Sequence, residues 1–100
     1  MEYKNIVERL SQIRTVKKLS SRELGLMIGK SDTYFYKIEN QSIKLSVLKL
    51  LEILETLEVD TEKFFYKDFY NYEEDMKILS LIKSMPESKK QNLIELLKNK

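Results

Sequence analysis

Cysteine, histidine and alanine are absent from this 100-residue chain, and glycine and proline occur only two and one times. Each absence narrows the field. Without cysteine there is no disulfide scaffold and no thiolate metal site. Without histidine the commonest general base and the commonest metal ligand are both missing, and no cofactor or metal is expected. So little glycine and proline leaves scant material for β-turns and favours an all-α chain. There is no run of about 18 apolar residues and no signal-peptide pattern, so the chain is expected to be soluble and cytoplasmic, with no membrane partner.

What is present suits one small domain's worth of chain with a sufficient core. Hydrophobic residues make up 42% and charged residues 34%, a globular rather than a disordered balance. The net charge is +2, unevenly spread: residues 1–50 hold ten Lys/Arg against five Asp/Glu, and residues 51–100 hold eight against eleven. A basic front half suits a chain that shows one end to a polyanion, although ordinary surface charge would look the same. Lys outnumbers Arg fifteen to three, which with the missing alanine points to an AT-rich bacterial genome.

Residues 20–40, SSRELGLMIGKSDTYFYKIEN, carry the most information. Leu24 and Ile28 lie one helical turn apart, Gly29 interrupts, and Phe35 and Ile38 follow three apart. Gly29 is expected to take a left-handed conformation and end the first helix. The two short helices must then share a core as a bent pair, with the outer face of the second projecting. Such a projecting helix in a basic neighbourhood is one way to enter the DNA major groove.

Around this pair the periodicity predicts more helices. Ile6, Leu10, Ile13 and Val16 place one over roughly Tyr3 to Lys18. Ser20 with Glu23 forms a capping box that opens the next. Ser31 is expected to cap the third helix, with Asp32 in its first turn. After a polar loop from Asn40 to Leu45, Ser46 can cap a fourth helix with a stripe of Val47, Leu50, Leu51, Leu54 and Leu57. Asp60 or Thr61 begins a short fifth helix that ends near Phe65. The segment FFYKDFYNY at 64–72 holds six of the ten aromatics. It is expected to be a connection whose rings pack across the five-helix core. Residues 73–99 read as a helical hairpin, with Pro86 at the first helical position of its second arm. Met76, Leu79, Ile82 and Met85 form one stripe; Leu93, Leu96 and Leu97 form the other; Ile78, Leu81 and Ile94 add apolar surface. Two short helices alone cannot bury all of this, so they need the core or a second copy of themselves.

The chain resembles the lambda-repressor/Cro-like, or XRE-type, helix-turn-helix family. The residues that carry the resemblance are Ser20, Ser21, Glu23, Leu24 and Gly25, then Ile28, Gly29 and Ser31, then Tyr34, Phe35, Ile38, Glu39 and Asn40. Leu19 before them and the Leu48-to-Val59 stretch after them also fit. The resemblance implies a five-helix DNA-binding domain over residues 1–65. The aromatic connection and hairpin of 66–100 lie outside it and are expected to be a dimerisation element because of their apolar stripes.

The resemblance also implies roles. Ser31, Asp32, Thr33 and Tyr36 would lie closest to base edges, with Tyr34 and Lys37 at the groove wall. Thr33 could touch a thymine methyl and Asp32 could accept from cytosine N4, although Asp32 also repels phosphate and could be no more than a first-turn charge. Phosphate contacts would fall to Ser21, Arg22, Lys30, Asn40, Gln41, Ser42 and Lys44, each of which could also be an ordinary solvated group. Ser21 stands where the family often has Gln, and reaches less far. Glu39 would pair bidentately with Arg14, a structural lock between the first and third helices. Leu26 and Met27 occupy positions that are usually polar, and suit packing on the hairpin or a partner site. Leu45 stands where many members have proline.

The leading expectation is therefore a sequence-specific DNA-binding transcriptional regulator, a repressor, located with the nucleoid and binding a palindrome of double-stranded DNA as a homodimer. A phage repressor, a host regulator and an antitoxin that represses its own operon all fit. The alternative is a protein-interaction module, in which the tyrosines, Leu26 and Met27 anchor a regulatory protein partner. Catalysis has little support, because the consecutive Glu73, Glu74 and Asp75 diverge around a helix and serve its N-terminus instead.

Overall fold

Ser20 and Glu23 close a reciprocal cap. The Ser20 hydroxyl accepts from the Glu23 amide at 3.0 Å, and the Glu23 carboxylate accepts from the Ser20 amide at 3.1 Å. These bonds hold the Glu23 carboxyl below the usual carboxylate range. In the computed structural model this cap opens one of seven helices among the described residues: α1 (Tyr3–Val16), α2 (Ser21–Met27), α3 (Tyr34–Glu39), α4 (Val47–Thr56), α5 (Thr61–Phe65), α6 (Tyr72–Lys83) and α7 (Glu87–Lys98). The structure describes residues 1–99; Lys100, the last residue of the expected hairpin segment, lies outside them. Among the described residues the regular elements are all helical, with a 3-10 turn at Phe69–Asn71. No helix among them is long and apolar enough to cross a membrane. The chain forms two compact units that meet between Tyr66 and Lys67.

In the first unit, α2 packs on α3, α1 on α3, and α4 on α5. Val7, Leu10 and Ile13 of α1, Leu24 of α2, Phe35 and Ile38 of α3, Leu50, Ile53, Leu54 and Leu57 of α4 and its cap, and Phe64 of α5 are buried. The expected stripes are corrected at several places. On α1, Val7 replaces Ile6 in the core and Val16 is 67% exposed. On α4, Ile53 joins the core while Val47, at 74%, and Leu51, at 44%, face outward. Leu50, Ile53, Leu54 and Leu57 are spaced as one helical face and Leu51 lies off it, while Val47 is exposed as the first residue of the helix.

Four helices end the same way. At the ends of α1, α2, α3 and α4 the amides of Leu19, Lys30, Ser42 and Val59 donate back to the carbonyls of Arg14, Gly25, Lys37 and Leu54. This is the Schellman arrangement, which needs one left-handed residue. Gly29 supplies it after α2 with φ 74°, but Lys18, Gln41 and Glu58 supply it after α1, α3 and α4 with φ near 60°. Helix α1 thus stops at Val16 rather than at Lys18.

Ser31 does not cap α3. The Tyr34 amide donates to the Ser31 carbonyl at 3.2 Å, so a turn precedes the helix and Thr33 takes the N-cap position without a side-chain bond. Asp32 lies in that turn, ahead of the helix.

In the second unit, α6 begins at Tyr72, with Glu73, Glu74 and Asp75 in its first turn. Pro86 is the N-cap of α7 rather than its first helical residue: its extended ψ of 149° lies outside the helix. Its carbonyl accepts from Lys89 and Lys90. No residue of either helix is buried. Met76, Ile82, Met85 and Leu93 are half-buried, and Leu79, Leu96, Leu97, Ile78, Leu81 and Ile94 are exposed. Of the aromatic segment only Phe64 enters the core; Phe65 and Tyr70 are exposed and lean edge-on against Phe64 and Phe69, at 5.1 and 5.3 Å between ring centres. Phe64, Phe65 and Tyr66 belong to the first unit, and Phe69, Tyr70 and Tyr72 to the second.

Candidate nucleic-acid interface

Gly25 is buried where α2 meets the turn before α3, and a Cβ there would stand 2.6 Å from the Ser31 carbonyl oxygen. Glycine therefore lets the two backbones touch. That contact, with buried Phe35 and Ile38, fixes which side of α3 faces outward. Tyr36 is 59% exposed, Lys37 is exposed and Tyr34 is half-buried. Ser31, Asp32 and Thr33 are exposed in the turn, with the Ser31 and Thr33 hydroxyls 3.4 Å apart. The residues expected near bases thus form one continuous outward segment.

The residues expected near phosphate surround this segment unevenly. Arg22 and Ser21 stand in the first turn of α2, Ser21 half-buried and Arg22 exposed. Lys30 lies over the Tyr34 ring with its ammonium 5.6 Å from the centre, a cation–π contact that restrains both. Asn40, Gln41, Ser42 and Lys44 are exposed after α3. The Asn40 side-chain oxygen accepts from the Ser42 amide at 2.9 Å and hydroxyl at 2.5 Å, which shapes the turn.

Behind Tyr36 the surface sinks into an open depression of about 390 Å³, lined by Arg14, Ser21, Tyr36, Glu39 and Asn40. Its floor is an ion pair: Arg14 Nη2 lies 3.1 Å from Glu39 Oε2, both side chains only 18% exposed. The pair is not the expected bidentate fork. Arg14 Nη1 instead donates to the Leu19 carbonyl at 2.7 Å, and Glu39 Oε2 also accepts from the Ser11 hydroxyl at 2.5 Å. The guanidinium is shared because the left-handed Lys18 turns the Leu19 carbonyl toward it. Glu39 thus joins α3 to α1 through its Oε2.

Three framework residues escape a sequence reading. Ser11 lies one turn before Arg14 on the same face. Arg9 donates from one nitrogen to the Phe64 and Tyr66 carbonyls at 2.6 and 2.7 Å, tying α1 to the end of α5. The Tyr3 hydroxyl accepts from the Leu45 amide at 2.8 Å. A proline at 45 would lack that donor. Lys49 lies 2.8 Å from Glu52, whose hydrogen bond is the main cause that raises the ammonium's pKa. No family model matches this chain, and neither a curated protein nor a solved structure matches it significantly.

Proposed function

We propose that the chain is a sequence-specific DNA-binding transcriptional regulator of the lambda-repressor/Cro-like, helix-turn-helix kind, a repressor that grips a palindrome as a homodimer. The reading takes residues 1–65 as a five-helix DNA-binding domain and the hairpin as the dimerisation element. The observation that carries it is the division of α3. Phe35 and Ile38 anchor one side in the core, while Tyr34, Tyr36 and Lys37 stand on the other, next to the exposed Ser31–Thr33 turn. A short helix held this way fits the roughly 12 Å width of the major groove. Lys30 and Lys44 flank it for phosphate. The apolar side chains exposed on α6 and α7 are the kind of surface that a two-fold partner covers.

Titration of mixed genomic DNA at increasing salt tests the reading. A regulator loses affinity steeply as salt rises, because each phosphate contact releases a counterion. An affinity that stays flat with salt counts against it and favours a second reading. Leu26 and Met27 are both more than half exposed, and such apolar anchors suit a protein partner. A protein-interaction module would use them with Tyr36 and would show no salt-steep DNA binding.

A further inference from the structure

Asp32 is the only carboxylate in the outward segment from Ser31 to Lys37. On a face meant for a polyanion it costs affinity for every sequence unless something answers its charge. The structure supplies the answer from another element. Arg22 Nε, from the first turn of α2, lies 3.8 Å from Asp32 Oδ2, in the turn that leads into α3. The side chains are 73% and 57% exposed, so solvent, phosphate and base edges can all reach them. Contact through Nε leaves both terminal nitrogens of Arg22 open. An exposed pair of this length is weak enough to open once Asp32 gains another partner.

We propose that Arg22 and Asp32 act as a specificity latch, a role that rests on the DNA-binding reading above. In the free protein and on non-cognate duplex, Asp32 holds Arg22 away from the backbone. On the cognate site a cytosine N4 amino group in the major groove donates to the Asp32 carboxylate and takes the arginine's place. Arg22 then swings to a phosphate. Wrong sequences are penalised twice: the carboxylate finds no donor, and the arginine stays withheld. Discrimination thus comes from an unfavourable element aimed at non-cognate partners as well as from a favourable one.

The test uses the full chain and three variants, Arg22→Ala, Asp32→Ala and the double substitution, with circular-dichroism melts to verify folding. Two duplexes serve as probes: a mixed-sequence duplex, and the best duplex from a random-pool selection together with its single-base changes. Asp32→Ala should bind the mixed duplex about fivefold more tightly, with a salt dependence steeper by roughly one unit. It should also lose the preference for one C·G pair in each half-site. With Arg22 already replaced, the same change should gain about twofold or less. A gain of equal size with and without Arg22 means plain phosphate repulsion and overturns the latch, as does an unchanged base preference. A wild-type chain that binds no duplex overturns the DNA-binding reading and the latch with it.

Discussion

The Cβ that Gly25 lacks would stand 2.6 Å from the Ser31 carbonyl oxygen, a backbone atom that cannot swing aside. The α2–α3 geometry depends on this missing atom. Gly25→Ala should therefore destabilise the chain by about 1–3 kcal/mol, the usual cost of overpacking, despite alanine's better helix propensity. Gly29→Ala should cost about 1 kcal/mol for a different reason: nothing lies near its Cβ, but its φ of 74° is left-handed. Urea midpoints check both. A Gly25→Ala protein as stable as wild type would mean that α2 and α3 can separate freely.

Glu39→Ala should loosen the fold and leave base preference alone. It strips the acceptor from Ser11 and leaves the Arg14 guanidinium with the Leu19 carbonyl. With both side chains 18% exposed, the loss should be about 3 kcal/mol, near the lower end for breaking a buried pair. A melt close to wild type together with altered DNA selectivity would place Glu39 among the reading residues.

Glu58→Gly should stabilise. Glu58 holds φ 58° to close the Schellman turn after α4, a conformation that costs a side-chain-bearing residue roughly 1–2 kcal/mol. Glycine gives back about 0.5–1 kcal/mol through its freer unfolded chain, so a net gain of about 0.5–1 kcal/mol remains. Thermal unfolding reads the shift, and Lys18→Gly should behave alike.

Lys44→Ala should weaken binding to all sequences alike and flatten the salt dependence by about one unit. Thr33→Ala and Tyr36→Ala should instead change which bases are preferred, at about 1–3 kcal/mol per contact. Binding measured on a panel of single-base variants separates the two effects. Identical preferences in all three variants would remove the division between phosphate and base contacts.

The helical character of the chain and most of the elements were legible because residues such as Leu10, Leu24, Phe35 and Ile38 sit in clean helical register and are buried. The face of α4 was not. VLKLLEIL is apolar on most sides, so periodicity alone cannot choose Ile53 over Val47. The Ser20–Glu23 and Ser46 caps were visible because they act within three residues. The left-handed Lys18, Gln41 and Glu58 carry no glycine to mark them. The shared guanidinium of Arg14, and the reach of Arg9 to Phe64 and Tyr66, depend on chain that is folded back from elsewhere. In the candidate interface the outward residues of α3 followed from its buried ones. The contact between Arg22 and Asp32 did not, because it depends on how closely α2 approaches the turn.

Selection of bound sequences from a random duplex pool tests the central claim most directly. The account predicts an enriched palindrome whose half-sites lie about one helical turn apart, about 10 base pairs centre to centre, or a multiple of that. It also predicts that binding to that palindrome weakens steeply between low and moderate salt. A pool that enriches no sequence, with affinity flat across the same salt range, would contradict it.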